Sequence, residues 1–195
     1  MQRVILVSIV AISYLFMLTA TQASHVSGWD NIRARLLDGE GAEFVKPIDR
    51  LAPDEFNAGT EYQAVQQAAS WVAGNMTYEV DEGEVWTDSN QQYYEVPRTG
   101  DCEDYAILLT ALIRFHTQGG IAANRVWVAA GLVTLTGTDE VIGHAWVVYK
   151  PERGGTVCIE PQTGMGYHGN LVGEMIQFND VWVKGEEYCP HNPNL

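Results

Sequence analysis

"RTGDCEDYAILLTALIRFH", residues 98–116, carries both the main helix signal of the chain and its main chemical signal. A glycine and an acidic step lead into Cys102, and the run from Ile107 to Phe115 is almost entirely apolar. The pattern predicts a helix from Cys102 to about Thr117. Asp101 is its expected cap and Asp104 the acidic third position of a capping box. Gly119 and Gly120 end it. At such a place Cys102 is either a small buried hydrophobe or a nucleophile set at a positive helix end.

Outward from this stretch the pattern changes character. Upstream, "TEYQAVQQAASWVAGN" opens on Thr60 as an N-cap, repeats Tyr62, Val65, Ala69 and Val72 at helical spacing, and stops at Gly74-Asn75. A short helix is expected around 29–37, and residues 79–98, acidic and aromatic without clear period, read as a surface loop. Downstream, "RVWVAAGLVTL", "GHAWVVYK", "TVCIE" and "VWVK" are β-rich and separated by turn signals such as "TGTDE" and "PERGG". Helices first and strands afterwards predict an α+β fold, with the Cys102 helix packed on a mostly antiparallel sheet.

Composition limits the partners. Against 11 basic residues stand 25 acidic ones, a formal charge of −14, which argues against nucleic acid. No repeat or low-complexity segment interrupts the chain, so residues 24–195 read as one domain. Residues 1–23 read as a signal peptide or a membrane anchor: Arg3, an apolar run from Val4 to Leu18, then small residues before Ser24. Export is therefore expected, with a mature chain beginning near Ser24, or membrane attachment through that segment alone if it is retained. Export would permit disulfides, and Cys158 with Cys189 is one pairing that leaves Cys102 free. Neither CxxC nor HExxH occurs, which argues against zinc. "NMT" at 75–77 is a glycosylation sequon only in a host that glycosylates.

In "VIGHAWVVYKPERGGTVCIE", His144 opens one expected strand and Glu160 closes the next. A hairpin through "PERGG" puts the two on one face. With Cys102 presented from a helix end, the parts are a thiol, an imidazole and a carboxylate that orients the imidazole. A lone cysteine or a lone histidine is more often structural, so it is the three together that argue for chemistry. His25, His116, His168 and His191 carry no partner signal and read as surface or satisfied. Trp71, Trp127 and Trp146 fall in periodic segments and read as core, whereas Trp86 is the candidate to line a substrate cleft. Asp101, Glu103 and Asp104 crowd the thiol, and as bare charges they oppose a thiolate. The chemistry needs no cofactor, but a divalent cation held by some of these carboxylates would cancel that field. Hard oxygen ligands favour calcium.

"TGDCEDYAILLTALIR", "GHAWVVY" and "IEPQTG" together resemble the transglutaminase-like superfamily of papain-type cysteine enzymes, over about residues 60–165. "GDCEDYA" is most similar to the bacterial transglutaminase-like cysteine peptidases. The resemblance implies a papain/transglutaminase-like core, Cys102 as nucleophile, His144 as base and Glu160 as the orienting acid, where the family usually has Asp. It implies a protein or peptide substrate, a thioester intermediate and calcium beside the cysteine. Transamidation, glutamine deamidation and a non-catalytic binding module on the same scaffold are the alternatives.

Overall fold

The computed structural model describes residues 31–80, 85–134, 141–166, 170–181 and 183–186. The expected leader at 1–23, His25, His168, His191 and Cys189 with its bridge to Cys158 all lie outside the described residues. Among the described residues no helix is long and apolar enough to cross a membrane.

A helical run over residues 31–40 (α1) passes into α2 (Gly41–Phe44). It extends further than the sequence pattern suggested because Gly39, at φ +102°, kinks the chain and lets helix resume. α3 (Glu61–Asn75) begins where expected. The Thr60 side chain accepts from the Gln63 N–H, and Gln63 reaches back to the Thr60 N–H. Val65, Ala69 and Val72 are buried on one face, but Tyr62 remains 39% exposed. Inside the expected loop lies a further helix, α4 (Ser89–Tyr94), capped by Asp88 Oδ1 on the Asn90 and Gln91 N–H groups at 3.0 Å each. One polar turn has no apolar period to betray it; the cap was the readable signal. α5 (Cys102–His116) follows two short strands, β1 (Thr77–Tyr78) and β2 (Thr99–Gly100), which pair in parallel.

Six strands complete the fold: β3 (Val126–Thr134), β4 (Val141–Tyr149), β5 (Val157–Glu160), β6 (Met165–Gly166), β7 (Asn170–Phe178) and β8 (Val183–Glu186). They form one antiparallel sheet in the order β6-β5-β4-β3-β7-β8. The fold is the expected α+β, with helices on a six-stranded antiparallel sheet. β7 was not expected. Gly173 and Glu174 interrupt its sequence pattern, yet it pairs along β3, with a register shift between Gly131 and Val133.

α5 is the centre of the molecule. β3 and β4 cover one side of it, α3 and α4 the other, and every residue from Glu103 to Ile113 is buried. That explains the near-continuous apolar run, since a helix enclosed on all sides has no polar stripe to show. Val126, Val128, Ala130, Ala145, Val147 and Tyr149 face this core. The alternate residues Ala129, Val133, Trp146 and Val148 form a second cluster with Met175 on the opposite side of the sheet. Two ion pairs fasten the layers. The Arg125 guanidinium and the Tyr149 hydroxyl both donate to Glu61 at the start of α3, and Arg114 grips Asp180 with two hydrogen bonds.

The last residue of α5 has a distinct polar role. His116 is buried; its Nε2 accepts from the Ile48 N–H at 2.9 Å, and its Nδ1 donates to the Ala52 carbonyl at 3.0 Å. Only the neutral ring makes both bonds, because an imidazolium has no acceptor. Burial lowers its pKa from 6.5 and outweighs the carbonyl at Ala52, which raises it. A folded pKa below the unfolded one adds stability that is complete above about pH 6.5 and lost as pH falls through the folded value. We expect His116→Gln to cost about 1–3 kcal/mol at pH 7.5. Urea unfolding at pH 7.5 and 5.5 should show a smaller loss between the two for the variant than for the wild type. Equal losses would mean that His116 is not the group that titrates.

Candidate active site

The β1–β2 ladder aims the chain into α5. Tyr78 pairs with Gly100, and the Thr77 and Glu79 N–H groups donate to the Arg98 and Gly100 carbonyls at 2.8 and 3.0 Å. Gly100 is required by space: a Cβ there would lie 2.4 Å from Asp104 Oδ2 and 2.6 Å from the Asp104 Cβ. Asp104 thus folds back over Gly100, with its Oδ1 accepting from the Thr87 N–H at 3.3 Å. It tethers the preceding loop. The expected capping by Asp101 does not occur. Asp101 holds the N-cap position, and its carbonyl accepts from the Tyr105 N–H at 3.2 Å, but its side chain makes no cap bond.

The Asp101 side chain turns instead to its neighbours. One carboxylate oxygen each of Asp101 and Glu103 and the Cys102 Sγ lie within 4.8 Å of one another. Asp101 and Glu103 are 7% and 3% exposed, and Asp101 Oδ1 and Glu103 Oε1 are buried without a hydrogen-bond partner. The Cys102 thiol donates to Glu103 Oε2 at 3.4 Å. Burial, then the charges of Glu103 and Asp101, push that thiol well above the ordinary range; the Ala145 N–H on the sulfur pulls the other way. Burial also raises Glu103 well above the usual carboxylate range, and the facing Asp101 carboxyl adds to it. Two carboxylates and a thiolate cannot all be charged in one dry site, so a proton or a cation must sit among them.

Ala145, whose backbone N–H draws the thiol pKa down, belongs to β4, one residue after His144. His144 and Glu160 come from adjacent antiparallel strands, with Val148 opposite Cys158. Diagonal neighbours on one face of such a pair are within reach of long side chains. The His144 Nε2–H donates to Glu160 Oε2 at 2.7 Å, and both side chains are largely buried, at 12% and 15% exposed. The other Glu160 oxygen accepts from the Gln162 N–H at 3.3 Å. The imidazole lies nearly parallel to the Trp146 ring, at 23° and 6.2 Å between centroids. Nε2 is thereby committed to the carboxylate, which fixes the plane of the ring.

Trp86 packs against the rings of Phe44 and Phe178, at 5.6 and 5.7 Å, and so extends the core. Sequence reasoning overlooked Tyr78. It stands beside Gly100, its ring 6.5 Å from that of Tyr105, and it is 52% exposed. Its place comes from a two-residue ladder between segments far apart in sequence, and no local period announces such a ladder.

The arrangement can perform acyl transfer. A thiol starts a helix whose first N–H groups lack helical partners, and a hydrogen-bonded imidazole–carboxylate pair stands on the neighbouring strand. A search of curated proteins finds no match. The family model for the transglutaminase-like superfamily matches residues 51–155, a span that holds Cys102 and His144 and ends before Glu160. The matched segment is more than half of the chain and contains α3, α5 and the β3–β4 hairpin, so the protein belongs to the transglutaminase-like superfamily, whose members are mostly cysteine hydrolases and transferases.

Proposed function

We propose that this chain is an exported cysteine peptidase that hydrolyses a protein or peptide substrate through a thioester. Cys102 is its nucleophile, His144 its general base and acid, and Glu160 the positioning residue for the imidazole. The observation that carries the reading is the 2.7 Å His144–Glu160 hydrogen bond, made from β4, the strand that packs against the helix that Cys102 opens. Structural histidines are met with carboxylates elsewhere in proteins. A thiol at a helix start beside such a pair is the generalised triad.

The steps follow from these groups. His144 takes the thiol proton, the sulfur bonds to the substrate carbonyl carbon, and the C=O pair moves onto oxygen. The Cys102 N–H, at the first position of α5, donates to that oxyanion. Collapse restores the carbonyl and breaks the C–N bond, and the departing amine takes the proton from His144. Water then attacks the thioester, leaving its proton on His144 and releasing the acid and the thiol. Glu160 holds the ring through the Nε2–H and stabilises the imidazolium. An amine in place of water gives transamidation, and a glutamine side chain as substrate gives deamidation. Covalent attachment of an amine probe to a glutamine substrate would move the assignment to a transglutaminase.

A divalent cation fits one part of this site. Asp101 and Glu103 offer buried oxygens without partners, which are hard donors of the kind calcium takes, whereas Asp104 is engaged with Thr87 and Gly100. Asp101 and Glu103 would hold the ion and Asp104 would steady the loop. When bound, the ion would neutralise the field that keeps the thiol protonated. All else in the mechanism belongs to Cys102, His144 and Glu160.

Two results are expected. His144→Ala should lower turnover of a casein-type substrate by on the order of 10²–10⁴-fold without loss of fold, and Glu160→Gln should cost less than Cys102→Ala. Near-wild-type turnover by His144→Ala would remove it from the mechanism. Chelation should lower both the melting temperature and the activity, and calcium should restore both, with Asp101→Asn needing a higher calcium concentration. If chelator moves neither quantity, the acidic pair holds a proton and no metal.

A further inference from the structure

We propose that Tyr78 is a catalytic residue, the side-chain donor to the oxyanion that forms when Cys102 attacks a carbonyl; this rests on the reading of Cys102 as nucleophile. β1 is only two residues long and has one structural consequence: it fixes Tyr78 alongside Gly100, two residues before the cysteine. Hydrogen bonds on either side of Tyr78, from Thr77 to Arg98 and from Glu79 to Gly100, set its backbone position. The Tyr78 ring then meets that of Tyr105, which is buried in the first turn of α5. The ring is therefore supported from behind while half of the residue faces solvent, as expected of a group at the mouth of a site.

The hydroxyl end is where the chemistry lies. It feels the charges of Cys102, Asp101, Glu103 and Glu160 together, that is, both the thiol and the carboxylate that orients the imidazole. Among the described residues the Tyr78 hydroxyl has no hydrogen-bond partner, while the hydroxyls of Tyr94 and Tyr149 donate to Asp49 and Glu61. Burial and the surrounding acidic groups raise its pKa, so it remains a neutral donor. A neutral phenol donates a hydrogen bond to a negative oxygen and gives up no proton, so the reaction balance is unchanged. It would act beside the Cys102 N–H, and two donors converging on one oxygen are the usual composition of an oxyanion hole.

The test separates attack on a carbonyl from reactivity of the thiol. Acylation of Cys102 by p-nitrophenyl acetate passes through an oxyanion, whereas alkylation by iodoacetamide does not. Tyr78→Phe keeps the ring against Tyr105, and its melting temperature should match the wild type. The variant should acylate about 10²-fold more slowly, with its alkylation rate within about twofold of wild type. Unchanged acylation would overturn the proposal. So would equal slowing of both reactions, which would give Tyr78 a role in shaping the thiol instead. Acylation that survives Cys102→Ala would overturn the nucleophile assignment itself and this inference with it, a failure distinct from the other two.

Discussion

The burial of α5 on every side governs both the stability of this protein and its chemistry. A helix that packs against β3 and β4 on one side and α3 and α4 on the other cannot rotate or slide without disturbing the whole core. Ile107, Leu108, Leu109, Leu112 and Ile113 are fully enclosed, and each contributes on the order of 1.5–3 kcal/mol through burial. The sheet and the helix are thus fixed relative to one another. Cys102 at the first turn of α5 and His144 on β4 inherit that rigidity, which is what preorganised acyl transfer requires.

The same burial has an electrostatic cost. A helix N-terminus normally favours a thiolate. Here the first turn also carries Asp101, Glu103 and Asp104, all nearly inaccessible to solvent. Asp104 is accounted for by Thr87 and the space above Gly100. Asp101 and Glu103 are left facing the sulfur, with one oxygen each unpartnered. The helix end and the Ala145 N–H favour the thiolate, while burial and then the charges of Glu103 and Asp101 push the thiol pKa up.

Much of this was legible in the sequence because local rules and tertiary demands agree. Thr60 and Gln63 cap α3 as their types and spacing require, and the apolar run after Cys102 marks a fully buried helix. The "PERGG" turn between two β-rich segments is enough to put His144 near Glu160 from the sequence alone, and the two side chains do meet. What escaped notice depended on tertiary partners. β7 is a strand because β3 needs a neighbour, despite Gly173 and Glu174 in its middle. α4 exists through one cap at Asp88. Asp101 fails to cap although its residue type is right, because its side chain is drawn into the cluster around the sulfur. Tyr78 owes its position to a ladder of two residues, below what any periodicity can reveal.

We propose that, without a bound cation, burial and the facing carboxylates hold Cys102 as a thiol against the pull of the helix end. The pH dependence of iodoacetamide alkylation, followed by mass spectrometry on the peptide that carries Cys102, tests it directly. In the presence of chelator the rate should begin to rise only above the ordinary thiol pKa of about 8.5. Glu103→Gln should bring that onset down towards neutral pH. A wild-type rate already at its plateau at pH 7, with the metal removed, would show a preformed thiolate and contradict the account.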